Sequence, residues 1–217
     1  MLVLASASPR RRDLLAQAGY DFHVLPAEVC EDLHPGEHPI PYVLRLARAK
    51  AEAVAASSQF RVLADAHPRE PALILGADTT VVAPSGEILL KPEDDADAAR
   101  MLHALSGATH QVITGVAVAI PGPAGLIVEV AAEVTHVTVL SLTGDDISAY
   151  IATGEPHGKA GAYAIQGRFA RFIPRIHGDY SNVVGLPLAL VASMIEAAQQ
   201  HRSVEHTVRA ALSAPDA

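Results

Sequence analysis

The sequence contains one cysteine, Cys30, in 217 residues. A single cysteine excludes an internal disulfide and suits a reducing compartment, so we expect a cytoplasmic protein. No apolar run approaches the length of a membrane span. The first twenty residues carry an arginine cluster after only a short apolar run, which is not typical of a signal peptide. We therefore expect no membrane partner.

Basic residues are outnumbered by acidic ones, 16 to 24, and the formal net charge is −8. This balance argues against a general nucleic-acid binder, because such proteins present a basic face. It does not exclude an anionic small substrate, provided that a cation and nearby Lys or Arg side chains neutralise the substrate's charge. The patterns GxGxxG and GxxxxGK(S/T) are absent, so a nucleotide site here is neither of the Rossmann nor of the P-loop kind.

The chain is 50% hydrophobic, which is enough for one substantial core. Strand and helix patterns alternate, which predicts one α/β domain over residues 1–200, followed by a polar tail at 201–217. The predicted strands are 2–5, 22–25, 73–82, 87–90, 111–120, 126–140 and 169–176. The predicted helices are 9–18, 41–56, 92–105, 147–152 and 188–198, and the predicted connections include 57–71, 121–125 and 179–186. The stretch Thr143–Asp146 has the pattern of a capping box for the helix at 147–152.

The stretch 73–82, LILGADTTVV, has the near-continuous apolar character of a buried strand, but Asp78 interrupts it. Ionised carboxylates are seldom buried unless they are paired, hydrogen-bonded or bound to a metal. Alternatively, Asp78 marks the end of the strand and accepts backbone N–H groups in a turn. Lys50 interrupts an apolar helix face in the same way. The alternative to a functional role is a lysine whose aliphatic chain is buried while its ammonium group reaches solvent.

A tight, hydroxyl-rich turn at Ser6–Arg12 connects the first strand to the first helix. Ser8 suits the N-cap, Pro9 the first helical position and Gly19 the C-terminal cap. Arginines are unfavourable in the first turn because of the helix dipole, but a bound phosphate would reverse that penalty. A solvated basic turn is the alternative.

Eight stretches, taken together, carry a resemblance: LASASPRR (4–11), LARAKA (46–51), GADT (76–79), KP (91–92), LSG (105–107), HQVITG (110–115), KAGAYAIQG (159–167) and NVVGLPL (182–188). They occur in order over residues 2 to about 195 and are similar to the Maf family of nucleoside triphosphate pyrophosphatases. The resemblance implies a mixed, elongated sheet with flanking helices and two lobes around a deep cleft, related to inosine triphosphate pyrophosphatase. It also implies a divalent cation, Mg²⁺ or Mn²⁺, and a homodimer.

The resemblance gives roles to ten residues. It assigns catalytic roles to Asp78, Lys50 and Lys91, and metal binding to Asp78 and Glu31. Substrate binding and specificity fall on Ser6, Arg10, Arg11, Thr79, Lys159 and Gln166. The sequence departs from the family pattern in three places. Cys30 and Gly158 stand where relatives usually carry acidic residues, and the stretch 168–170 is less glycine-rich than usual. We expect the first departure to weaken metal binding if that acid is a ligand.

The amide of Gln166 offers an acceptor beside a donor, which complements the imide edge of uracil or thymine. The resemblance is to the subgroup that acts on dTTP and UTP, with Arg11 and Thr79 at further positions tied to pyrimidine choice. Three alternatives stay open. They are a preference for 7-methyl-GTP, a non-catalytic nucleotide-binding regulator of septum formation, and a nucleotidyltransferase with a second substrate pocket.

Overall fold

The computed structural model describes residues 1–122 and 125–212. The strands are β1 (Leu2–Leu4), β2 (Phe22–Val24), β3 (Leu73–Val82), β4 (Ile88–Leu89), β5 (Thr109–Gly122), β6 (Gly125–Thr138) and β7 (Arg175–His177). The helices are α1 (Pro9–Gln17), α2 (Pro39–Ala56), α3 (Ser58–Ala66), α4 (Asp95–Leu105), α5 (Gly144–Ile151), α6 (Tyr180–Val184) and α7 (Leu188–Leu212). Short 3₁₀ helices occur at Ala160–Ala162 and Arg168–Phe172.

The described strands form one seven-stranded mixed sheet in the order β2-β1-β3-β5-β6-β7, with β4 paired to β3. The pairs that β1 makes with β2 and β3 are parallel, and the other pairs are antiparallel. This arrangement confirms the mixed α/β fold class. The relation to inosine triphosphate pyrophosphatase that the resemblance implies stays a prediction.

Helices cover both faces of the sheet. On one face α2 and α3 pack against β1, β3 and β5 through a core of small and β-branched side chains. On the other face α1, α4, α5 and α7 bury a larger core against the opposite sides of β3 and β5. β3 is therefore covered on both faces, which explains its almost unbroken apolar sequence.

Helix α2 lies directly on the backbone of the sheet at two glycines. A Cβ atom built on Gly76 would lie 2.2 Å from the carbonyl oxygen of Ala47, and one on Gly115 would lie 2.4 Å from that of Val43. Non-bonded atoms do not approach a Cβ atom this closely, so a side chain at either glycine would displace the helix. The two glycines therefore fix how closely α2 approaches β3 and β5.

Several segments differ from the sequence-based prediction. The polar segment 57–71 was expected to be a connection, but it contains α3, because the Ser57 hydroxyl caps the amide of Phe60 and the Phe60 ring is buried. Residues 169–176 are not one strand. Phe169 and Phe172 are both buried three residues apart, which matches a 3₁₀ turn and not the two-residue period of a strand.

Helix ends also differ. α4 begins at Asp95, after the Asp94 carboxylate caps the amide of Asp97, and not at Pro92. α6 lies within the predicted connection 179–186, where Asp179 accepts from the amide of Ser181. In contrast, the predicted capping box between Thr143 and Asp146 is confirmed at the start of α5.

Helix α7 continues to Leu212, beyond its predicted end at residue 198. Residues 123–124 of the predicted connection 121–125, and residues 213–217 of the predicted tail, lie outside the described residues. β5 and β6 include the other three residues of that connection. No helix within residues 1–122 or 125–212 is both long and apolar enough to cross a membrane.

We expect Gly76→Ala or Gly115→Ala to lower the free energy of unfolding by about 3 kcal/mol, because the new methyl group meets helix backbone that can move only as a unit. Urea unfolding would measure the loss. Gly144→Ala is the matched control, since a Cβ there meets nothing within 4 Å, and we expect a change within about 0.5 kcal/mol. Equal stability of all three variants would contradict the packing described here.

Candidate active site

β3 has an unpaired stretch on the edge that β5 does not occupy. There β1 pairs with residues 73–75 and β4 pairs with Val81 and Val82, so residues 76–80 face no other described strand. A cavity of about 870 Å³ lies beside this gap. Because successive side chains point to opposite faces of a sheet, Asp78 on the α2 side and Thr79 on the other side both line it.

The cavity collects side chains from separate parts of the chain. The turn after β1, the loop before α2, α2 itself, β3, the segment after β4 and the glycine-rich segment after α5 all contribute to its wall. All ten sequence-predicted site residues line it, namely Ser6, Arg10, Arg11, Glu31, Lys50, Asp78, Thr79, Lys91, Lys159 and Gln166.

The ammonium group of Lys50 holds two carboxylates together. Its Nζ atom lies 2.6 Å from Asp78 Oδ1 and 2.6 Å from Glu31 Oε1. Lys50 and Asp78 are only 7% and 8% exposed, so each charge is buried with its partner. The pairing follows from the helix geometry, because Lys50 lies on the same face of α2 as Ala47 and Ala51, which pack against Gly76, two residues before Asp78 in β3.

Glu31 is fixed by a second lysine and by its own backbone. Lys91 Nζ donates to Glu31 Oε2 at 2.9 Å, and the Tyr42 hydroxyl donates to the Glu31 carbonyl oxygen at 2.9 Å. Burial opposes ionisation of this carboxyl, but the hydrogen bonds from Lys50 and Lys91 outweigh it and lower the pKa of Glu31 to about 2. Burial and the charges of Asp78 and Glu31 raise the pKa of Tyr42 to about 12.

The loop that carries Glu31 is also anchored farther along. The Arg45 guanidinium of α2 donates to both oxygens of the Glu37 carboxylate, each at 2.7 Å. It also donates to the Asp32 carbonyl oxygen at 3.0 Å. Cys30 is exposed in this loop, and its thiol lies 3.2 Å from Asp32 Oδ2. The loop is thus held against α2 at Glu31 itself, through Tyr42, and at Asp32 and Glu37 beyond it, through Arg45.

Arg11 turns inward and connects three parts of the site. Its guanidinium donates to the Gly185 carbonyl oxygen at 2.8 Å, to Thr79 Oγ1 at 3.0 Å and to Ser6 Oγ at 3.3 Å. The Ser6 hydroxyl also accepts the amide of Ser8 at 3.2 Å, and Ser8 occupies the N-cap position of α1 without capping it through its own side chain. Arg11 therefore braces the cavity wall.

Arg10 and Lys159 differ from the two lysines that hold Glu31, Lys50 and Lys91. Among the described residues neither forms an ion pair with a carboxylate, although the Lys159 ammonium donates to the backbone carbonyl of Glu155. Burial lowers the pKa of Arg10, and burial together with repulsion from Arg10 lowers the pKa of Lys159. Two neighbouring cations that form no ion pair with a carboxylate favour a bound anion.

Two tyrosines of the cavity wall were not singled out from the sequence. Tyr42 contacts the Glu31 backbone, and the Tyr163 hydroxyl lies 2.8 Å from Nε2 of the buried His110. Burial lowers the pKa of His110 to about 4, so it is neutral near pH 7. The sequence signal for such residues is a tyrosine among apolar positions, because a buried hydroxyl needs a partner.

The carboxylates suit a hard divalent cation only in part. Residues 1–122 and 125–212 contain no cluster of three or more His, Cys, Asp or Glu side chains that could hold a metal. Asp78 and Glu31 supply two carboxylates, which is the number that Mg²⁺ typically takes from a protein when substrate phosphates complete its coordination. The residues therefore fit a cation that binds together with a phosphate ligand.

A mixed sheet with an interrupted edge, and a cation-rich cavity beside it, define an α/β protein that binds an anionic ligand. The chain belongs to the Maf family, because the family model described as Maf-like protein matches residues 1–198. This match confirms the resemblance read from the eight sequence stretches.

Three relatives illustrate the similarity, and each is called dTTP/UTP pyrophosphatase. The protein of Koribacter versatilis (strain Ellin345) is 51% identical over 197 residues, which cover 91% of this chain and 94% of the relative. That of Moorella thermoacetica is 52% identical over 200 residues, with coverages of 89% and 93%. That of Geobacter sulfurreducens is 50% identical over 190 residues, with coverages of 88% and 92%.

The lowered pKa of Glu31 predicts a pH-dependent contribution to stability. Because the folded-state pKa is about 2 against an ordinary 4.5, the contribution is complete above pH 4.5 and is lost as the pH falls towards 2. The carboxylate is 40% exposed, so we expect Glu31→Gln to lower the free energy of unfolding at pH 6 by less than about 1 kcal/mol.

Urea unfolding between pH 6 and pH 3 would measure this difference, which should shrink as the pH falls. Glu28→Gln is the control in the same loop, because Glu28 is exposed and forms no ion pair with another described residue. A difference between Glu31→Gln and the unmodified protein that is the same at every pH would contradict the assignment.

Proposed function

We propose that this protein is a nucleoside triphosphate pyrophosphatase that hydrolyses dTTP and UTP to the monophosphate and pyrophosphate. The observation that carries the proposal is the Lys50 ammonium, which holds Asp78 and Glu31 at 2.6 Å inside a cavity with further cations on its wall. The choice of reaction and substrates is supported by three relatives with about 50% sequence identity over nearly the whole chain, all of which are called dTTP/UTP pyrophosphatase.

In this reaction a water oxygen bonds to the α-phosphorus, and the bond from that phosphorus to the bridging oxygen breaks. Pyrophosphate leaves with the electron pair, so negative charge grows on the departing group. Lys91 lies 61% exposed at the cavity and Lys50 lies deeper, and both neutralise this growing charge. Arg10, Lys159 and the start of α1 hold the triphosphate.

Two roles of Asp78 are compatible with its place beside the gap in β3. As a base it orients the attacking water and takes its proton, which requires hydrogen-bond reach to that water. As a ligand it holds, with Glu31, an Mg²⁺ or Mn²⁺ ion that supplies charge neutralisation at the phosphates. Its Oδ1 atom faces Lys50, and no described residue donates a hydrogen bond to Oδ2, which leaves that oxygen for either role.

Nucleobase choice is assigned to Gln166, whose amide presents an acceptor and a donor to the imide edge of uracil or thymine. Its side chain is exposed at the cavity wall and makes no hydrogen bond to another described residue, so both groups are available to a ligand. Arg11 and Thr79 contribute through the wall they brace, since their polar groups already bond to Ser6, Thr114 and Gly185.

Pyrophosphate release from a panel of standard and modified nucleoside triphosphates tests the function. We expect dTTP and UTP to be the preferred substrates, with turnover that stops on chelation and returns with Mg²⁺ or Mn²⁺. Asp78→Asn should lower kcat by at least about 1,000-fold while nucleotide binding persists, because the side chain keeps its shape and loses its charge. Asp65→Asn, in exposed α3, is the matched control.

Each contrary outcome identifies a different error. A preference for 7-methyl-GTP would overturn the role of Gln166, and full activity of Asp78→Asn would remove Asp78 from the chemistry. Nucleotide binding without any pyrophosphate release would replace the enzyme by a nucleotide-binding regulator.

We also propose a homodimer in the cytoplasm, as the family resemblance implies. The exposed free thiol of Cys30 suits a reducing compartment and supports that location. Sedimentation equilibrium should give twice the 22.7 kDa mass of the chain, and a single species at the monomer mass would contradict the dimer.

A further inference from the structure

The segment Ala164–Arg168, which carries Gln166, is clamped at both ends by one pair of side chains. The Tyr150 hydroxyl of α5 accepts the amide of Ala164 at 3.2 Å. The Glu155 carboxylate accepts the amide of Arg168 at 3.0 Å through Oε2. The same Tyr150 hydroxyl donates to Glu155 Oε1 at 2.7 Å, so the two clamps are joined to each other.

The clamp is itself firmly placed. Tyr150 is 3% exposed, and its ring packs against Phe169 with a centroid separation of 5.0 Å. Burial opposes ionisation of Glu155, but hydrogen bonds from the Arg168 amide and the Tyr150 hydroxyl outweigh it and lower the pKa of that carboxyl. Glu155 thus holds the segment as an anion, which strengthens its hydrogen bonds.

Gly167 makes the close contact with this carboxylate. A Cβ atom built on Gly167 would lie 2.1 Å from Glu155 Oε1 and 2.4 Å from Oε2. The carboxylate therefore lies against the backbone directly after Gln166, in space that any other residue would fill. The backbone carbonyl of Glu155 also accepts the Lys159 ammonium, so one residue braces two parts of the cavity wall.

Gln166 depends on this bracing. Because its amide has no partner among the described residues, only the backbone on either side determines where it points. A selective hydrogen bond to a nucleobase needs a donor and an acceptor held within about half an ångström of their working positions. A mobile segment would still admit the nucleotide but would discriminate poorly between bases.

We propose that Tyr150 and Glu155 are positioning residues that fix Ala164–Arg168 and thereby set the nucleobase selectivity exerted by Gln166. The inference rests on the proposed function for its substrates. Of the triphosphate contacts only Lys159 touches the clamp, and it bonds to the backbone carbonyl of Glu155, which Glu155→Gln keeps. The other contacts lie on other elements, so loss of the clamp should change the relative preference for bases and leave the chemical step largely intact.

The experiment compares dTTP with dCTP, which share sugar and triphosphate and differ at the pairing edge of the base and in the C5 methyl group of thymine. UTP and CTP, which differ at the pairing edge alone, form the second pair. Tyr150→Phe keeps the ring and removes the hydroxyl, and Glu155→Gln keeps the size and removes the charge. We expect each to lower the dTTP-to-dCTP ratio of kcat/KM by about 3- to 10-fold, through a higher KM for dTTP with kcat within about twofold.

Two kinds of reference variant make the result specific. Tyr20→Phe and Glu196→Gln remove the same chemical groups from side chains that make no hydrogen bond to another described residue, and both should keep the selectivity of the unmodified protein. In a Gln166→Ala background, Tyr150→Phe should cause no further loss of selectivity, since the clamp acts through Gln166.

Unchanged selectivity in both clamp variants would overturn the inference, and so would an equal loss in the Gln166→Ala background. A fall in kcat with every nucleotide, together with a lower Tm, would assign Tyr150 and Glu155 a merely structural role and also overturn it. These results leave the pyrophosphatase function standing. That function fails, and the inference with it, only if the unmodified protein releases no pyrophosphate from dTTP or UTP.

Discussion

The contact of Lys50 with Asp78 and Glu31 organises the site, because one buried ammonium joins the central strand to the loop that covers it. This contact requires α2 to lie very close to β3. Gly76 and Gly115 provide that closeness by leaving room for the helix backbone against the sheet. An ion pair buried this deeply is stable only when its geometry is good, so packing at two glycines and charge pairing at one lysine depend on each other.

The cations of the cavity fall into two groups with different partners. Lys50 and Lys91 pair with carboxylates, whereas Arg10, Arg11 and Lys159 form no ion pair with a carboxylate among the described residues. Of these three, Arg11 is bonded into the wall through Ser6, Thr79 and Gly185. A chain with net charge −8 thus contains a local surplus of positive charge directed at one cavity. This contrast explains how an acidic protein can attract a polyanionic small molecule to one cavity.

Local signals in the sequence predicted much of the fold. The apolar run around Asp78 placed the central strand, the spacing around Lys50 placed α2, and the signature of the α5 capping box was read correctly. The polar segment that contains α3 was missed because its helix is stabilised by one buried ring, Phe60, against the sheet. Its packing partners are distant in sequence, and no local pattern reports them.

For the same reason, the members of the candidate site were predicted but their contacts with one another were not. The family resemblance named residues that the structure gathers around one cavity, but it could not give their partners. The bonds of Lys50 to both carboxylates, of Arg11 to Gly185, and of Tyr150 to Glu155 and Ala164 join elements through tertiary packing. The close contact of the Glu155 carboxylate with Gly167 likewise joins two segments in a way that no local pattern reports.

The unpaired edge of β3 has one more consequence. Exposed peptide groups along a strand invite another chain to add to the sheet, and proteins avoid such aggregation by keeping free edges short, blocked or recessed. Here β1 and β4 stand at the two ends of a five-residue interval, so the free edge is short, is closed at both ends and borders the cavity.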